Sequence, residues 1–294
     1  MDRHVIETIG KARVTVENGK VVKVEQPADK LEYCSLVHSI SQVDNSSTVE
    51  KAMPLFPRLG VEMRISQWGM CTNDRMIESD DVGVDFGASE ITSCALKGGL
   101  IDAAVLACDG VGTVVVDDPR IVQGIGKAMS GLAETSPLPG VIERLKEKGC
   151  IIPDEENASM DQVSGLKVAF ENGYERVCVT LADIETAKRC REVERSAGKA
   201  AILFGVHTTG MTKEDAEEFM KTVDITTSCA SKYLREFSEK YALLQLGVAV
   251  PIFATSEIGR DIMLNRVKYM KKQVLIKTAT LPELVEERQP RPLL

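Results

Sequence analysis

Ala201–Gly210 reads AILFGVHTTG, an apolar run that ends in a polar turn. Three more segments in the second half of the chain have the same form: Val177–Asp183 (VCVTLAD), Asp224–Lys232 (DITTSCASK) and Val250–Glu257 (VPIFATSE). Each is followed by a stretch with helical spacing of apolar residues. Buried strands that alternate with helices predict an α/β fold, a doubly wound and mostly parallel sheet, with a smaller N-terminal β-containing part.

The same segments predict where a ligand binds. We expect parallel strands at Ala103–Ala107, Val177–Leu181, Ala201–Val206 and Val250–Ala254. Carboxyl ends of parallel strands share one edge of the sheet, and ligands bind at that edge. The residues predicted to line one cleft there are Asp183, His207, Thr208, Thr209, Cys229, Ser231, Lys232, Thr255 and Ser256.

The first part of the chain indicates a separate, smaller unit. Lys11–Glu25 alternates apolar and polar residues on both sides of Asn18-Gly19, which favours a hairpin with a type I′ turn. Gln42–Pro57 has the composition of a connection, and Val61–Ser66 alternates like a strand. We predict an N-terminal hairpin and irregular part over residues 1–85, an α/β Rossmann-like core over 86–272 and a poorly ordered C-terminal extension over 273–294.

A helix is predicted from Pro119 onward, because proline suits a first helical turn and acidic residues precede it. Gly124, Gly126 and Gly131 fall within this predicted helix, where each glycine costs about 1 kcal/mol relative to alanine. Close packing or the approach of a ligand to the backbone would offset that cost.

Composition excludes several classes of function. The chain has 294 residues with 44% apolar and 27% charged residues, which is typical of a soluble globular protein. Its net charge of −8 argues against a nucleic-acid or anionic-membrane partner. The N-terminal segment does not resemble a secretory signal, so we expect a cytoplasmic protein. The eight cysteines are then expected to be reduced.

His207 and Cys229 are the candidate catalytic residues. His207 follows an apolar strand, and an imidazole can act as acid, base or metal ligand near neutral pH. Cys229 precedes a predicted helix, whose N-terminus favours a thiolate. The alternative is a structural role for both: a histidine bonded to backbone at the core edge, and a cysteine or serine that caps the helix.

The predicted ligand is a small anion. Lys232 lies in the first turn of a predicted helix, where a cation is unfavourable unless an anion binds there. Backbone N–H groups near Ser231 would hold this anion beside His207. The other residues predicted to bind the ligand follow predicted strands: Asp109, Gly110, Gly112, Thr208, Thr209, Thr255 and Ser256.

A metal site is a further hypothesis. Cys71, Cys108 and Cys229 could converge as soft ligands for an iron–sulfur cluster or zinc. Their spacing is wide and irregular, and buried structural cysteines are the alternative. His4 and His38 stand in no supporting pattern, so we expect both to be surface or structural residues.

Several of these stretches together resemble the methanogenesis marker protein 8 family. They are WGMCTNDR, ALKGGLIDAAVLACDGVGTVVVDDPRIVQGIGKAMSGL, FGVHTTGM, TTSCASKYLRE and PIFATSE. The resemblance spans roughly residues 1–270 and implies an anaerobic archaeal cytosol and a role near methyl-coenzyme M reductase or its cofactors. Residues 90–132 are also similar to the N-terminal region of the F420-reducing hydrogenase beta subunit.

The sequence is compatible with three functions. The first is an accessory or maturation protein of methanogenesis that handles a small anionic ligand, a metallocofactor or a protein partner of that process. The second is an enzyme that acts on a small anionic metabolite through His207 and Cys229. The third is an assembly subunit without bound metal, in which the cysteines are structural.

Overall fold

The computed structural model describes residues 2–26, 31–34 and 55–294. Its strands are β1 (Arg3–Glu7), β2 (Arg13–Glu17), β3 (Lys20–Glu25), β4 (Ala103–Cys108), β5 (Gly112–Val116), β6 (Gly131–Thr135), β7 (Arg176–Leu181), β8 (Ala200–Gly205), β9 (Ile225–Thr227), β10 (Leu244–Leu246) and β11 (Ile252–Ala254). Its α-helices are α1 (Phe56–Trp68), α2 (Ala88–Lys97), α3 (Pro119–Ala128), α4 (Pro139–Glu147), α5 (Gln162–Glu171), α6 (Ile184–Ala197), α7 (Lys213–Thr222), α8 (Lys232–Tyr241) and α9 (Glu257–Lys268).

The strands form two sheets. The larger has the order β10-β11-β9-β8-β7-β4-β5, and the smaller has the order β3-β2-β1-β6. The central strands β4, β7, β8 and β9 pair in parallel, whereas every pair in the smaller sheet is antiparallel. The predicted α/β class, with a mostly parallel core and a smaller N-terminal β-containing part, is confirmed.

Helices cover both faces of the larger sheet. Alternate residues of β4 point to opposite faces, as a strand requires: Ala104 and Leu106 join one buried cluster, and Ala103 and Val105 join the other. The first cluster contains residues of α2, α3, α4 and α9, and the second contains residues of α5, α6, α7 and α8. This arrangement explains why the strand segments read as continuous apolar runs.

The predicted orientation of the last strand is wrong. β11 pairs antiparallel with β9 and with β10, so its carboxyl end lies at the opposite edge of the sheet. Thr255 donates through its backbone N–H to Asp224 O, which is at the start of β9. Thr255 and Ser256 therefore do not line a cleft with His207. The sequence does not predict this orientation, because a three-residue strand that is buried on both faces has the same apolar pattern whether it pairs parallel or antiparallel.

The smaller sheet is built by the predicted hairpin and one strand from the core. Asn18 and Gly19 have φ angles of 48° and 71°, as the turn between β2 and β3 requires. β6 pairs with β1 across more than a hundred residues. Gly131, predicted inside a helix, begins this strand, because α3 ends at Ala128.

Val61–Ser66 is helical rather than extended. Its apolar residues Val61 and Ile65 are four positions apart, so both lie on one face of α1. Val61 is fully buried against the small sheet. Pro57 stands in the first turn of this helix and Gly69 ends it with a φ of 63°. An alternation over only six residues does not distinguish the two-residue period of a strand from the 3.6-residue period of a helix.

The C-terminal extension contacts the core. Leu294 donates its N–H to Ala230 O and accepts from Lys232 N, and Arg291 pairs with Tyr33. These bonds correct the expectation of a poorly ordered tail.

His38 and most of the predicted connection at 42–57 lie outside the described residues. The division into 1–85, 86–272 and 273–294 stays a prediction. Within the described ranges, no helix has the length and apolar content needed to cross a membrane.

Candidate functional site

The site lies at the carboxyl edge of the parallel strands. His207 and Cys229 each follow the end of a parallel strand by two residues, β8 and β9 respectively. Their φ angles are 56° and 43°, in the left-handed region that side chains with a Cβ rarely adopt. Each such residue costs about 1 kcal/mol or more and persists only where the surroundings fix it.

His207 is fixed by the small sheet. Its Nε2 lies 2.9 Å from Glu7 Oε2, at the end of β1, and its side chain is 20% exposed. Arg13, the neighbour of Glu7 on β2, donates to Glu7 Oε1 at 2.9 Å. Glu7 therefore bridges an imidazole and a guanidinium. Its pKa is lowered to about 2, first by the hydrogen bond from His207 and also by the one from Arg13, against the opposing effect of burial.

Gly131 makes room for the imidazole. It is the register partner of Glu7 across β1 and β6. A Cβ at position 131 would lie 2.5 Å from His207 Nε2, closer than atoms approach without a shift. The glycine at the start of β6 thus allows His207 to lie over the strand and reach Glu7.

The turn after β8 is tied to the turn after β9. Thr208 donates its hydroxyl to Thr227 O at 2.7 Å, and Thr209 Oγ1 accepts from Ala230 N at 3.2 Å. Thr208 and Thr209 are both buried. These two predicted ligand-binding residues therefore hold the two turns together in this structure, and they fix His207 and Cys229 at the same sheet edge.

Cys229 is the accessible thiol of the site. It is partly exposed, and its Sγ lies 3.3 Å from Thr227 Oγ1. The other seven cysteines are buried. Its main-chain carbonyl accepts from Arg235 Nη2 at 2.7 Å, so a guanidinium lies next to the turn.

Arg235 is a buried cation, 3% exposed, on the first turns of α8. It donates to Ser228 O, Ser231 O, Cys229 O and Gln289 Oε1. Its pKa is lowered to about 10, because burial disfavours the charged form, while the nearby Cys229 and Cys34 thiols oppose the change. No carboxylate pairs with it in the described parts of the chain.

The predicted anion position at Ser231 and Lys232 is occupied by the chain itself. Ser231 caps α8 by accepting from Leu234 N, as its residue type favours. The N–H of Lys232 donates to Leu294 O at 2.9 Å. The Lys232 side chain is exposed and pairs with Glu236 one turn along. The tail therefore occupies the backbone N–H that was predicted to hold the anion, and Glu236 offsets the charge of the Lys232 side chain.

The β4–β5 turn is held in place by hydrogen bonds to buried groups of the core. Asp109 is fully buried and accepts from Arg75 Nε at 2.9 Å and from Cys71 N at 2.6 Å. Gly110 donates to Thr135 Oγ1, and Gly110 and Gly112 both have positive φ. The carboxylate of Asp109 already has a buried ion pair, so this structure gives no open ligand position at Asp109, Gly110 or Gly112. Removing one partner of such a pair typically costs about 3–5 kcal/mol.

Cys71, Cys108 and Cys229 do not form a metal centre here. Residues 2–26, 31–34 and 55–294 contain no group of three or more His, Cys, Asp or Glu side chains arranged to hold a metal ion. Cys71 and Cys108 are both fully buried near Asp109. Burial raises the pKa of both thiols, so neither is accessible or readily deprotonated in this structure.

Three residues of the site had no sequence signal. Glu7 is two hundred residues from His207. Ser228 and Arg235 lie in the quoted stretch TTSCASKYLRE, but no pattern in it assigns either residue to ligand binding. The i, i+4 spacing from Ser231 to Arg235 predicts only that both lie on one face of a helix. His4, which was expected at the surface or in a structural role, is fully buried with Nδ1 2.6 Å from Thr135 Oγ1.

The chain belongs to a family described as uncharacterized proteins conserved in archaea (DUF2099), which matches residues 4–268. It is 41% identical over 297 aligned positions to an uncharacterized protein of Methanocaldococcus jannaschii, and the alignment covers 100% of both chains. A chain in a structure titled as a xenon derivatization of the F420-reducing NiFe hydrogenase complex from Methanosarcina barkeri aligns at 15% identity. That alignment covers 62% of this chain and 72% of the other, with a TM-score of 0.36.

Proposed function

We propose that this protein is an archaeal enzyme that acts on a small anionic metabolite at the edge where His207 and Cys229 lie. In this proposal Cys229 supplies the nucleophilic thiol and His207 transfers protons. Glu7 orients the imidazole through Nε2, as carboxylates do for catalytic histidines. Arg235 supplies positive charge for the anionic ligand.

One observation carries the proposal: both candidate residues hold left-handed backbone conformations at equivalent places after neighbouring parallel strands. Strained backbone of this kind concentrates at functional sites, since structure otherwise relaxes it. His207 and Cys229 also differ from the other described His and Cys residues in being partly exposed. A purely structural pair would have no need of access to solvent.

The proposed context is methanogenesis. It is supported by the resemblance of the quoted sequence stretches to the methanogenesis marker protein 8 family, and it is in keeping with the full-length relative from Methanocaldococcus jannaschii.

The test is untargeted mass spectrometry of an anionic metabolite extract incubated anaerobically with the protein. The parent should consume at least one metabolite that Cys229→Ser and His207→Gln leave unchanged. Cys190→Ala is the matched control, because Cys190 is buried in α6 away from the edge and should retain the activity.

Two outcomes would contradict the proposal. Consumption that is equal in the parent and in Cys229→Ser would exclude the thiol from the reaction. A metabolite that is retained by the protein but chemically unchanged would favour the accessory, ligand-handling function instead.

A further inference from the structure

We infer that Ser228 and Arg235 form a subsite for a negatively charged oxygen group of the ligand, next to Cys229. This inference rests on the proposed function, since it assigns the part of the same site that holds the anionic group. Carboxylate, phosphate and sulfate groups share the required chemistry, because each offers oxygen acceptors to a guanidinium N–H and to a hydroxyl.

The first observation is the unbalanced charge of Arg235. The guanidinium has five N–H donors, and four of them are used: three by main-chain carbonyls and one by Gln289. One N–H on Nη2, the nitrogen that faces Cys229 O, has no acceptor in the described segments. A buried cation without a counter-ion is costly, and a bound anion would remove that cost.

The second observation is independent of the first. Ser228 is fully buried, and its hydroxyl is one of two buried side-chain polar groups without a hydrogen-bond partner in the described residues. Leaving such a group unpaired is unfavourable. Both main-chain groups of Ser228 are engaged: its N–H donates to Pro251 O and its carbonyl accepts from Arg235. Arg235 thus donates to the carbonyl of the residue whose hydroxyl is unpaired, and each of the two side chains has one donor without an acceptor in the described residues.

The position of the subsite fits the reactive thiol. Ser228 precedes Cys229 in the chain, and Arg235 binds the carbonyls of both residues. An anionic group held here would present the rest of a small ligand to Cys229. The cation that recognises the anion is thus Arg235, one turn further into α8 than Lys232.

The experiment is thermal unfolding in phosphate, sulfate or malonate, each compared with sodium chloride at matched ionic strength. At least one oxyanion should raise the melting temperature of the parent by about 2 °C or more. Which anion gives the largest rise identifies the group that the subsite takes.

Ser228→Ala separates a ligand role from a structural one. Without anion, this variant should melt within about 1 °C of the parent or higher, because the unpaired buried hydroxyl is gone; with anion, it should show no further rise. Ser93→Ala is the matched control, since Ser93 is also buried but donates to Pro119 O. It should melt lower than the parent and keep the full anion response.

A second readout uses the charge of the alkylating reagent. Iodoacetate carries a carboxylate and iodoacetamide does not. The ratio of the iodoacetate rate to the iodoacetamide rate at Cys229 should therefore be about tenfold higher in the parent than in Ser228→Ala.

The inference is overturned if no oxyanion stabilises the parent, or if Ser228→Ala and the parent respond equally. A clear anion response with no metabolite consumed would leave the subsite standing while the proposed enzyme activity fails. Metabolite consumption without any anion response would support the proposed enzyme activity and overturn the subsite.

Discussion

At the scale of single residues, the site depends on one carboxylate that connects two sheets. Glu7 receives His207 on one oxygen and Arg13 on the other, so its negative charge fixes the imidazole in place. His207 and Cys229 could be chosen from the sequence, because each follows an apolar strand and has a chemically useful side chain. Glu7 could not, since no local pattern connects positions that are two hundred residues apart.

Replacing Glu7 should change how stability depends on pH. The pKa of Glu7 lies at about 2, below its ordinary 4.5, so its ionised form stabilises the folded state. That contribution is complete above about pH 4.5 and is lost as the pH falls towards 2. Glu7→Gln should therefore lower the free energy of unfolding near neutral pH by an amount on the order of 2 kcal/mol, and the difference from the parent should shrink in acid.

Urea unfolding at a series of pH values measures this difference. Glu62→Gln is the control, because Glu62 forms an exposed pair with Arg58 and such pairs contribute little. A gap between the parent and Glu7→Gln that stays constant from neutral to acidic pH would rule out the ion pair as its cause.

At the scale of elements, strand direction decides which residues share the site. The parallel strands β8 and β9 bring His207 and Cys229 to one edge, as their sequence patterns predicted. β11 runs the other way and takes Thr255 and Ser256 to the far edge. Strand existence could be predicted from composition, but direction depends on pairing partners, which the residues of a short strand do not specify.

Ser256 should then matter for stability and not for the ligand. Its side chain caps α9 by accepting from Gly259 N and donates to Asp224 Oδ1. Ser256→Ala should lower the free energy of unfolding by about 1 kcal/mol or more, as the loss of a helix cap does. Its melting temperature should still rise with the oxyanion that stabilises the parent. A lost anion response in this variant would place Ser256 in the binding site after all.

At the scale of the whole molecule, the carboxyl edge is covered from two sides. The small sheet reaches it through Glu7 and His207, and the C-terminal tail reaches it through Ala230 and Lys232. Neither arrangement followed from the sequence. The small sheet needs β6 from the core to pair with β1, and the tail reads as a proline- and charge-rich extension whose contacts are to distant main-chain groups.

Removing residues 289–294 should loosen the turn that carries Cys229. The truncation deletes the bonds at Ala230 and Lys232 and the contact of Gln289 with Arg235. We expect a lower melting temperature and severalfold faster alkylation of Cys229 by iodoacetamide. Glu287→Ala, an exposed change in the same tail, is the control and should alter neither. An unchanged alkylation rate in the truncated protein would mean that the tail does not restrict the turn.

The proposed function requires Cys229 to react faster than the buried thiols of the chain. Timed anaerobic alkylation with iodoacetamide, followed by peptide mass spectrometry, measures the order in which the cysteines react. Burial raises the pKa of Cys150, Cys178 and Cys190 to about 12 and also raises that of Cys71 and Cys108, so these thiols should react only as the protein opens. Cys229 should be modified first, at least tenfold faster than any of them. Modification of Cys71, Cys108 or Cys178 before Cys229 would contradict it.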